Sequence, residues 1–348
     1  MRQRNRLTNA AMRVRAMQFL TVATVILFSA AGVASGAVIP VFYNSLDSDT
    51  AVNADNYGPG TGGTVQNTAN HAYTAGVSGN AFQSTVTGTN NTNSGGWARW
   101  NDSAINSIFS GWDNSNGITF DLYFQGVYST VTTGTANEGL WALVRRNSAE
   151  SGLTGGDNYV FASVQSTAAL PGRLRIAFAN NTTNNQYKFT FNGNAAVPAS
   201  QEFAPGVDIP LSDNTPYHLT VSIGNGEFKV WLDDLNGSQY SNAAPVFTDN
   251  TVIPDGFNWQ LPATGNVASS GSMAGRQTRE MDIGIRGFGN TGNTINNFGG
   301  SLRSGNWIDE VSVYNGVYSP ADLAVPEPST VCLVALGLLV SQVVRRRS

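Results

Sequence analysis

Two carboxylates stand at alternate positions in the segment REMDIGIRG: Glu280 and Asp282. Successive side chains of a β-strand point to opposite faces, so on a strand both carboxylates would share one face. A pair of carboxyl groups that flanks the scissile bond is the equipment of most glycosidases. The next position on that face is Gly284, so a further carboxylate that could act as acid/base beside a nucleophile and its helper is missing. We therefore do not expect this segment to hydrolyse a polysaccharide.

Histidine and cysteine are too scarce for the other common catalytic centres. The two histidines are His71 and His218, and the single cysteine is Cys332. Zinc sites and thiol active sites need clusters of these residue types, and the sequence offers none. His218 alternates with the apolar Leu219, so it should lie on the opposite face of a strand. Packing or hydrogen bonding is a better interpretation of His218 than catalysis.

Tryptophans are the residues best suited to hold a sugar, because an aromatic ring offers a large, flat apolar surface. Trp231 shares the polar side of its segment with Lys229 and Asp233, where an aromatic ring is unexpected. Three more tryptophans lie in a stretch rich in Gly, Asn and Ser: Trp97, Trp100 and Trp112. The sequence predicts that these four rings bind a ligand, and cross-strand packing is the alternative.

Several segments alternate apolar and polar residues with the period of a strand. The segment 117–126 has four apolar residues on one face and four polar ones on the other, and 173–180 and 187–191 repeat the pattern. In 217–235, two such runs are joined by Asn225-Gly226, a preferred pair for a tight hairpin turn. Charged residues make up only 12% of the chain, so long amphipathic helices are not expected. The sequence therefore predicts an all-β fold with two antiparallel sheets packed as a sandwich.

The first 37 residues have the order of a secretory signal peptide. Five arginines lead into an apolar stretch at 16–33, and small residues follow. Cleavage after Ala34 and cleavage after Ala37 both satisfy the small-x-small pattern, and the choice stays open. A permanent N-terminal membrane anchor is the alternative. On the first interpretation the body of the protein is exported.

Removing both terminal segments changes the charge of the chain. The whole sequence has a formal net charge of −4. The segment 38–325 has 11 basic and 22 acidic residues, which gives a net charge of −11. A surface this acidic repels phosphate backbones, so we expect no nucleic-acid partner. Cys332 lies outside this segment, so the body contains no disulfide and must fold on its apolar core.

The last residues combine three features in a fixed order. The triplet Pro326, Glu327 and Pro328 precedes an apolar run at 331–344, and a cluster of three arginines follows: Arg345, Arg346 and Arg347. Fourteen helical residues span about 21 Å, which is less than the hydrocarbon core of roughly 30 Å. The arginines would stay on the cytoplasmic side. Such a helix would hold an exported chain at the membrane, but weakly.

This order resembles the PEP-CTERM sorting signal of exported bacterial proteins, over residues 324–348. The resemblance implies that an exosortase-type membrane protease recognises the triplet and removes the tail after transient anchoring. It also implies that the protein resides in the cell envelope, at the cell surface or in the extracellular matrix. A Pro-rich linker before an ordinary anchor is the alternative.

Three segments of the body resemble the laminin-G-like, concanavalin A-like jelly-roll family. TAGVSGNAF at 74–82 is similar to an early strand, 215–235 to the central hairpin, and 305–323 to the closing strand and turn. The order is that of the family, so the resemblance covers most of 38–323 and implies one jelly-roll domain between the two terminal signals. The loop at 233–237 is longer than the family's usual Asp-Gly turn.

Calcium is the cofactor that this resemblance implies. Asp47 and Asp49 share one loop, and they would approach Asp309 if the first and last strands pair, as they do in the family. Ca²⁺ takes six to eight oxygen ligands from carboxylates and carbonyls. Solvated loop acids are the alternative, because a regular Asp-x-Asp-x-Asp-Gly loop is absent from the sequence.

Together these patterns predict an exported, non-catalytic protein that binds a polysaccharide or another surface component through its jelly-roll domain. A polysaccharide hydrolase or lyase on the same fold is one alternative. A purely structural matrix protein is the other.

Overall fold

The computed structural model of the chain describes thirteen segments, namely residues 38–54, 62–86, 95–100, 117–145, 158–180, 186–189, 208–224, 226–237, 239–249, 279–285, 290–291, 294–295 and 300–323. Residues 39–320 form one compact unit. The predicted signal peptide at 1–37 and the sorting signal at 324–348 lie outside the described residues.

The described residues are mostly β-strands. In chain order these are β1 (Phe42–Asn44), β2 (Thr64–Gln66), β3 (His71–Ala75), β4 (Asn80–Ser84), β5 (Trp97–Trp100), β6 (Ile118–Gln125), β7 (Thr135–Arg145), β8 (Asn158–Thr167), β9 (Arg173–Asn180), β10 (Gln186–Phe189), β11 (Tyr217–Gly224), β12 (Glu227–Asp234), β13 (Phe247–Asp249), β14 (Arg279–Ile283), β15 (Asn290–Thr291), β16 (Thr294–Ile295) and β17 (Trp307–Asn315). Two short helices, α1 (Asp49–Ala54) and α2 (Pro320–Leu323), accompany them.

All the described strands except β15 and β16, which form a separate two-stranded pair, belong to two antiparallel sheets. The larger sheet has the order β13-β12-β11-β6-β17-β4-β3, with β1 also paired to β17. The smaller sheet has the order β10-β9-β8-β7-β14-β5-β2. Consecutive strands such as β7 to β10 lie side by side, while other neighbours are distant in sequence, as are β6 and β17 in the larger sheet and β5 and β14 in the smaller. The predicted all-β, two-sheet antiparallel jelly-roll sandwich is confirmed.

The alternation of apolar and polar residues decides which face of each sheet is buried. On β6, Phe120 and Leu122 are fully buried in the core, while Asp121 and Tyr123 point to the other side. The hairpin of β11 and β12 repeats this division, with Leu219 opposite Leu232 on the inner face. These strands therefore contribute an apolar face to the core and a polar face to the outside of the sheet.

Aromatic rings join the two sheets across the core. Phe120 of β6 stacks on Trp141 of β7, with ring centroids 4.1 Å apart and an interplanar angle of 22°. Phe42 of β1 meets Trp100 of β5 edge-on at 5.0 Å. Each pair has one ring from the larger sheet and one from the smaller. Burial of these rings removes a large apolar area from water, which is the main favourable term in folding.

Strand β17 changes its neighbour part way along. Residues 307–308 pair with β4, and residues 311–313 pair with β1. Between them, the register against β6 shifts between Asp309 and Ser312, which marks a β-bulge. Glu310 lies in this bulge with a φ of 51°, in the left-handed region. The bulge therefore lets one strand hold two neighbours on the same side.

Two carboxylates from distant segments fix the turn between β3 and β4. Asp309 Oδ2 accepts hydrogen bonds from the backbone N–H groups of Val77 at 2.7 Å and Ser78 at 3.2 Å. Asp47 Oδ1 accepts one from the N–H of Asn80 at 2.6 Å. The turn is thus attached to the first loop and to the last strand at once.

The glycines of TAGVSGNAF are explained by these contacts. A Cβ on Gly76 would collide with the Asp309 carboxylate, and a Cβ on Gly79 would collide with that of Asp47. Gly79 also has a φ of 70°, which glycine adopts without strain. The backbone of TAGVSGNAF must therefore pass close to the carboxylates of Asp309 and Asp47.

A buried carboxylate holds the loops that follow β6 and precede β17. Glu138 is 1% exposed, and it accepts hydrogen bonds from Arg303 Nε at 2.5 Å and Asn306 Nδ2 at 2.5 Å. Arg303 also donates to the carbonyl of Val127 at 2.6 Å. A buried acid needs such partners, because an unpaired charge away from water is costly. The contacts fix the start of β17 relative to the end of β6.

Within the described ranges, no helix is both long and apolar enough to cross a membrane.

Replacing Phe120 by Ala should lower the free energy of unfolding by about 3–5 kcal/mol, because the change removes a fully buried ring and leaves a cavity beside Trp141. Urea unfolding followed by tryptophan fluorescence measures the change. Val77→Ala, at a turn residue that is 46% exposed, is the control and should alter stability by no more than about 0.5 kcal/mol. Equal effects of the two substitutions would show that the Phe120–Trp141 contact does not lie in the core.

Candidate binding face on the larger sheet

A row of polar and aromatic side chains crosses the outer face of the larger sheet. The row consists of three cross-strand partners, Asp233 on β12, His218 on β11 and Tyr123 on β6, and of Glu310 on β17 and Tyr43 on β1, which are hydrogen-bonded to each other. The direct β17 partner of Tyr123 is Asp309, and Glu310 follows it in the bulge. We call these five residues the acidic–aromatic row. All five are half-buried. Five adjacent strands span about 19 Å, so the row is long enough to contact several units of an extended chain.

The centre of the row is a pair of stacked rings. Tyr123 and His218 have ring centroids 4.3 Å apart and an interplanar angle of 11°. His218 Nε2 lies 2.8 and 2.9 Å from the two carboxylate oxygens of Asp121, and the Thr220 hydroxyl donates to the same carboxylate. Asp121 therefore fixes the orientation of the His218 ring, and through the stack it also restrains Tyr123.

The bulge in β17 delivers the fourth member of the row. An ordinary strand would alternate Asp309 and Glu310 between the two faces. With the extra residue, the Glu310 carboxylate accepts a hydrogen bond from the hydroxyl of Tyr43, which lies on the outer face of β1. The pairing of β1 with β17 and the bulge together place Glu310 and Tyr43 at one end of the row.

The electrostatic environment of the row is negative. Burial, together with the nearby charges of Asp121, Glu310 and Asp233, raises the pKa of Tyr123 to about 12. The tyrosine is therefore a neutral hydroxyl at physiological pH. Lys229 lies on the same face of β12, and its Nζ is 2.5 Å from the Glu227 carboxylate, which balances its charge.

The tryptophans predicted to bind a ligand lie deeper than the sequence suggests. Trp231 is on the outer face beside Thr220, but it is only 7% exposed. Trp97 is 3% exposed, and Trp100 is fully buried against Phe42 in the core. Trp100 is therefore a core residue and not a platform, because neither face of its ring is open. Trp112 lies outside the described residues.

The carboxylate pair of β14 belongs to the smaller sheet, away from the row. Asp282 is fully buried, and Arg99 donates to it from Nε at 2.8 Å and from Nη2 at 3.1 Å. Burial raises the pKa of Asp282, and the Arg99 guanidinium opposes this rise. Asp282 is thus a partner in an ion pair between β14 and β5. The side chain of Glu280 lies outside the described part of the chain.

The three aspartates predicted to bind calcium do not form one group. Asp49 accepts hydrogen bonds from the Tyr73 hydroxyl at 2.6 Å and from His71 Nε2 at 2.7 Å. Asp47 and Asp309 do approach the same turn, and the first and last strands do pair as the resemblance implies. Their carboxylates, however, face backbone N–H groups, which are donors where Ca²⁺ would need oxygens.

The arrangement around Asp309 therefore does not fit a calcium ion. Its Oδ1 is buried without a hydrogen-bond partner, and this single oxygen falls far short of a calcium ligand set. Throughout the described segments, no three histidine, cysteine, aspartate or glutamate side chains are grouped so that they could hold a metal. Calcium binding stays a prediction that these contacts do not support.

The sequence pattern predicts the outward position of some residues of the row but not of others. His218 lies on the face opposite Leu219, as its alternation predicts. The alternation in 117–126 also places Tyr123 on the polar face, so a signal for it existed. Tyr43 and Glu310 had no such signal, because a three-residue strand and a bulge leave no periodic pattern.

Comparison with known proteins identifies the C-terminal segment. Residues 324–348 match the PEP-CTERM protein-sorting motif. The sorting signal predicted from Pro326, Glu327, Pro328 and the arginine cluster is thereby confirmed. The motif indicates an exported protein that is sorted to the cell envelope. No curated protein matches the chain.

Solved structures resemble the chain only distantly. Domain 4 of AbnA, an extracellular GH43 arabinanase from Geobacillus stearothermophilus in complex with arabinotriose, has 15% identity and a TM-score of 0.41, with 82% of this chain and 97% of that domain covered. A Trypanosoma rangeli sialidase has 12% identity and a TM-score of 0.40, covering 88% and 38%. The binding domain of botulinum neurotoxin DC in complex with rat synaptotagmin II has 8% identity and a TM-score of 0.43, covering 86% and 51%.

This chain therefore spans less than two thirds of the sialidase and of the neurotoxin chain. Likenesses this distant identify no ligand for the row.

The stability of the protein should depend on the ionisation of Asp309. Burial raises its pKa from 3.8 to about 6, although the N–H groups of Ser78 and Val77 lower it. Because the folded-state pKa lies above the unfolded value, the protonated acid favours the fold. This contribution is full below about pH 4 and is lost as the pH rises through about 6. A shift of two pKa units corresponds to about 3 kcal/mol.

Asp309→Asn keeps an oxygen that accepts from Val77 and Ser78 but cannot ionise. The free energy of unfolding of the native protein, minus that of the variant, should therefore fall by up to about 3 kcal/mol between pH 4 and pH 7. Urea unfolding of both proteins at each pH measures the difference. A difference that stays constant over this range would show that Asp309 does not have a raised pKa.

Proposed function

We propose that this protein is a non-catalytic, exported polysaccharide-binding protein of the cell envelope or extracellular matrix, and that the acidic–aromatic row is its binding face. The observation that carries this proposal is the row itself: stacked rings and half-buried acids on the outer faces of five adjacent strands. A linear glycan is an extended chain, and a row of this shape offers it contacts along its length.

The chemistry of the row suits a sugar chain. The Tyr123 and His218 rings provide apolar surface for the C–H face of a pyranose, while the Asp233 and Glu310 carboxylates accept hydrogen bonds from hydroxyl groups. The orientation of both rings is fixed before a ligand binds, because His218 is hydrogen-bonded to Asp121 and stacked on Tyr123. Preorganised groups lose less entropy on binding, which favours affinity.

The same contacts favour binding over catalysis. Asp121 is engaged by His218 and Thr220, so its carboxylate is not free to act as a nucleophile. The raised pKa of Tyr123 makes its hydroxyl a poor general base. The carboxylate of Asp282, one of the two acids at alternate positions of β14, is bound by Arg99.

The terminal segments set the location of this binding domain. We infer that the C-terminal helix holds the chain at the membrane for a short time and that an exosortase-type protease then removes it. The match of 324–348 to the sorting motif supports this sequence of events. The sandwich would then be exposed outside the inner membrane, where polysaccharides of the envelope and matrix are found.

Replacing Tyr123 by Ala should weaken glycan binding by about tenfold or more, which is about 1.4 kcal/mol, because the change removes the central ring of the row. Tyr123→Phe keeps the ring and should bind almost as well as the native protein. A glycan array identifies a ligand, and titration calorimetry measures both variants against it. Melting temperatures of the variants establish that each is folded.

Other outcomes would favour the alternatives. Unchanged binding by Tyr123→Ala would remove the row as the binding face. Release of reducing sugar or of unsaturated product from a polysaccharide panel would show that the protein is a hydrolase or a lyase. Neither binding nor turnover on any polysaccharide would favour a structural matrix protein.

Replacement of Pro326, Glu327 and Pro328 by alanines should leave the tail attached, because the protease would no longer recognise the triplet. The full-length chain should then accumulate in the membrane fraction of the native host, and mass spectrometry of the C-terminal peptide measures the result. Asp322→Ala, four residues before the triplet, is the control and should be processed normally. Normal processing of the triple variant would contradict the proposed role of the triplet.

A further inference from the structure

We propose that Glu310 sets the ligand specificity of the acidic–aromatic row, so that the row binds polysaccharides rich in hydroxyl and amino groups and rejects acidic ones. This inference rests on the proposed function, since it names the class of glycan that the same face accepts. Four features of the structure support it: the backbone at Glu310, the exposure of its side chain, the balance of charges on the face, and the hydrogen-bonding capacity of the row.

The backbone holds Glu310 in an unusual conformation. Its φ is 51°, a region that glycine and asparagine tolerate far better than glutamate. Bulges re-aim side chains, and they are frequent beside functional sites. In this bulge the side chain is turned toward Tyr43 on the outer face. A glycine would satisfy the backbone at this position but would leave no carboxylate in the row.

Glu310 is more exposed to solvent than its neighbour in the bulge. Glu310 is half-buried, whereas its neighbour Asp309 is fully buried and bonded to the turn at 77–78. The hydroxyl of Tyr43 donates to one oxygen of Glu310, which fixes the side chain against the sheet. A carboxylate can accept up to about four hydrogen bonds, so Glu310 retains acceptor capacity for a ligand.

Two basic side chains described on this face lie against carboxylates. His218 contacts Asp121, and Lys229 contacts Glu227. Asp233 and Glu310 are two half-buried acids of the row, at opposite sides of the Tyr123–His218 stack. The charges of Asp121, Glu310 and Asp233 all raise the pKa of Tyr123. The row is therefore negative along its length, as is the segment 38–325, with its 22 acidic and 11 basic residues.

This charge pattern determines which glycans can bind. Ionised carboxylates only accept hydrogen bonds, so they pair with sugar hydroxyl groups and, more strongly, with ammonium groups. Uronate or sulfate groups bring further acceptors and negative charge, and like charges within a few ångströms repel. Amino-sugar polymers should bind best, neutral polymers less tightly, and polyuronates least.

The test uses the full-length protein and three oligosaccharides of equal length: a glucosamine oligomer, its N-acetylated neutral counterpart and a galacturonate oligomer. For the native protein we expect the glucosamine oligomer to bind most tightly, and the galacturonate oligomer at least about tenfold more weakly than the neutral one. Raising the salt from 0.05 to 0.5 M should reduce these differences, because salt screens exposed charges.

Glu310→Gln keeps the size of the side chain and its bond to Tyr43 but removes the charge. It should reduce the preference for the glucosamine oligomer over the galacturonate oligomer by about tenfold, while Glu310→Asp should keep most of the preference. Asp322→Asn changes the total charge by the same amount on the exposed part of α2, and it is the matched control. Melting temperatures establish that each variant is folded.

The outcomes separate this inference from the proposed function. Native protein that binds the galacturonate oligomer as tightly as the neutral one would overturn the inference and leave glycan binding intact. An equal loss of preference in Glu310→Gln and Asp322→Asn would also overturn it, because the effect would then come from net charge and not from Glu310. Failure of all three oligosaccharides to bind would remove the inference together with the proposed binding face.

Discussion

The β-bulge at Asp309 and Glu310 determines how the two ends of the described chain and its central strands come together. Strand β17 must pair with β6 along one side and with two different strands, β4 and β1, along the other. One extra residue accommodates the change of neighbour. The bulge also gives two adjacent acids different partners. Asp309 accepts hydrogen bonds from the turn between β3 and β4, while Glu310 accepts one from Tyr43 of β1. A strand without the bulge would bring only one of these acids to the outer face.

The proposed binding row depends on this arrangement and on the core beneath it. Phe120 and Leu122 of β6 are buried between the sheets, and this burial fixes Asp121 and Tyr123 on the outer side of the same strand. The pairing of β6 with β11 then brings His218 beside Tyr123. The apolar face therefore provides the stability, and the polar face displays groups that are already ordered. The sorting motif at 324–348 indicates that this face is delivered outside the cell interior.

Local patterns in the sequence were sufficient for the strands but not for the row. Alternation predicted β6, β9 and the hairpin of β11 and β12, and these strands are present. The row joins five strands whose sequence separations reach more than two hundred residues, as between Tyr43 and Glu310, and cross-strand register at that distance is not a local property. Glu310 has a positive φ without being glycine or asparagine, so no local rule marked the bulge.

The tryptophans give a second reason why the sequence predicts less than the structure shows. Trp97 and Trp100 lie three residues apart on β5, and alternation places them on opposite faces without showing which face becomes the core. Trp100 packs on Phe42, which comes from the other sheet, and only the packing of the two sheets reveals this. Trp231 was correctly placed on the outer face, but its burial depends on neighbouring strands. Burial of a single aromatic ring is therefore a tertiary property.

The most direct test of the account is a crystal structure of the protein with a bound oligosaccharide. The account predicts that the sugar chain crosses β12, β11, β6 and β17 on the outer face of the larger sheet, with a sugar ring against Tyr123 and a hydrogen bond to Glu310. A sugar bound on the smaller sheet, or only on the loops at the ends of the sandwich, would contradict it.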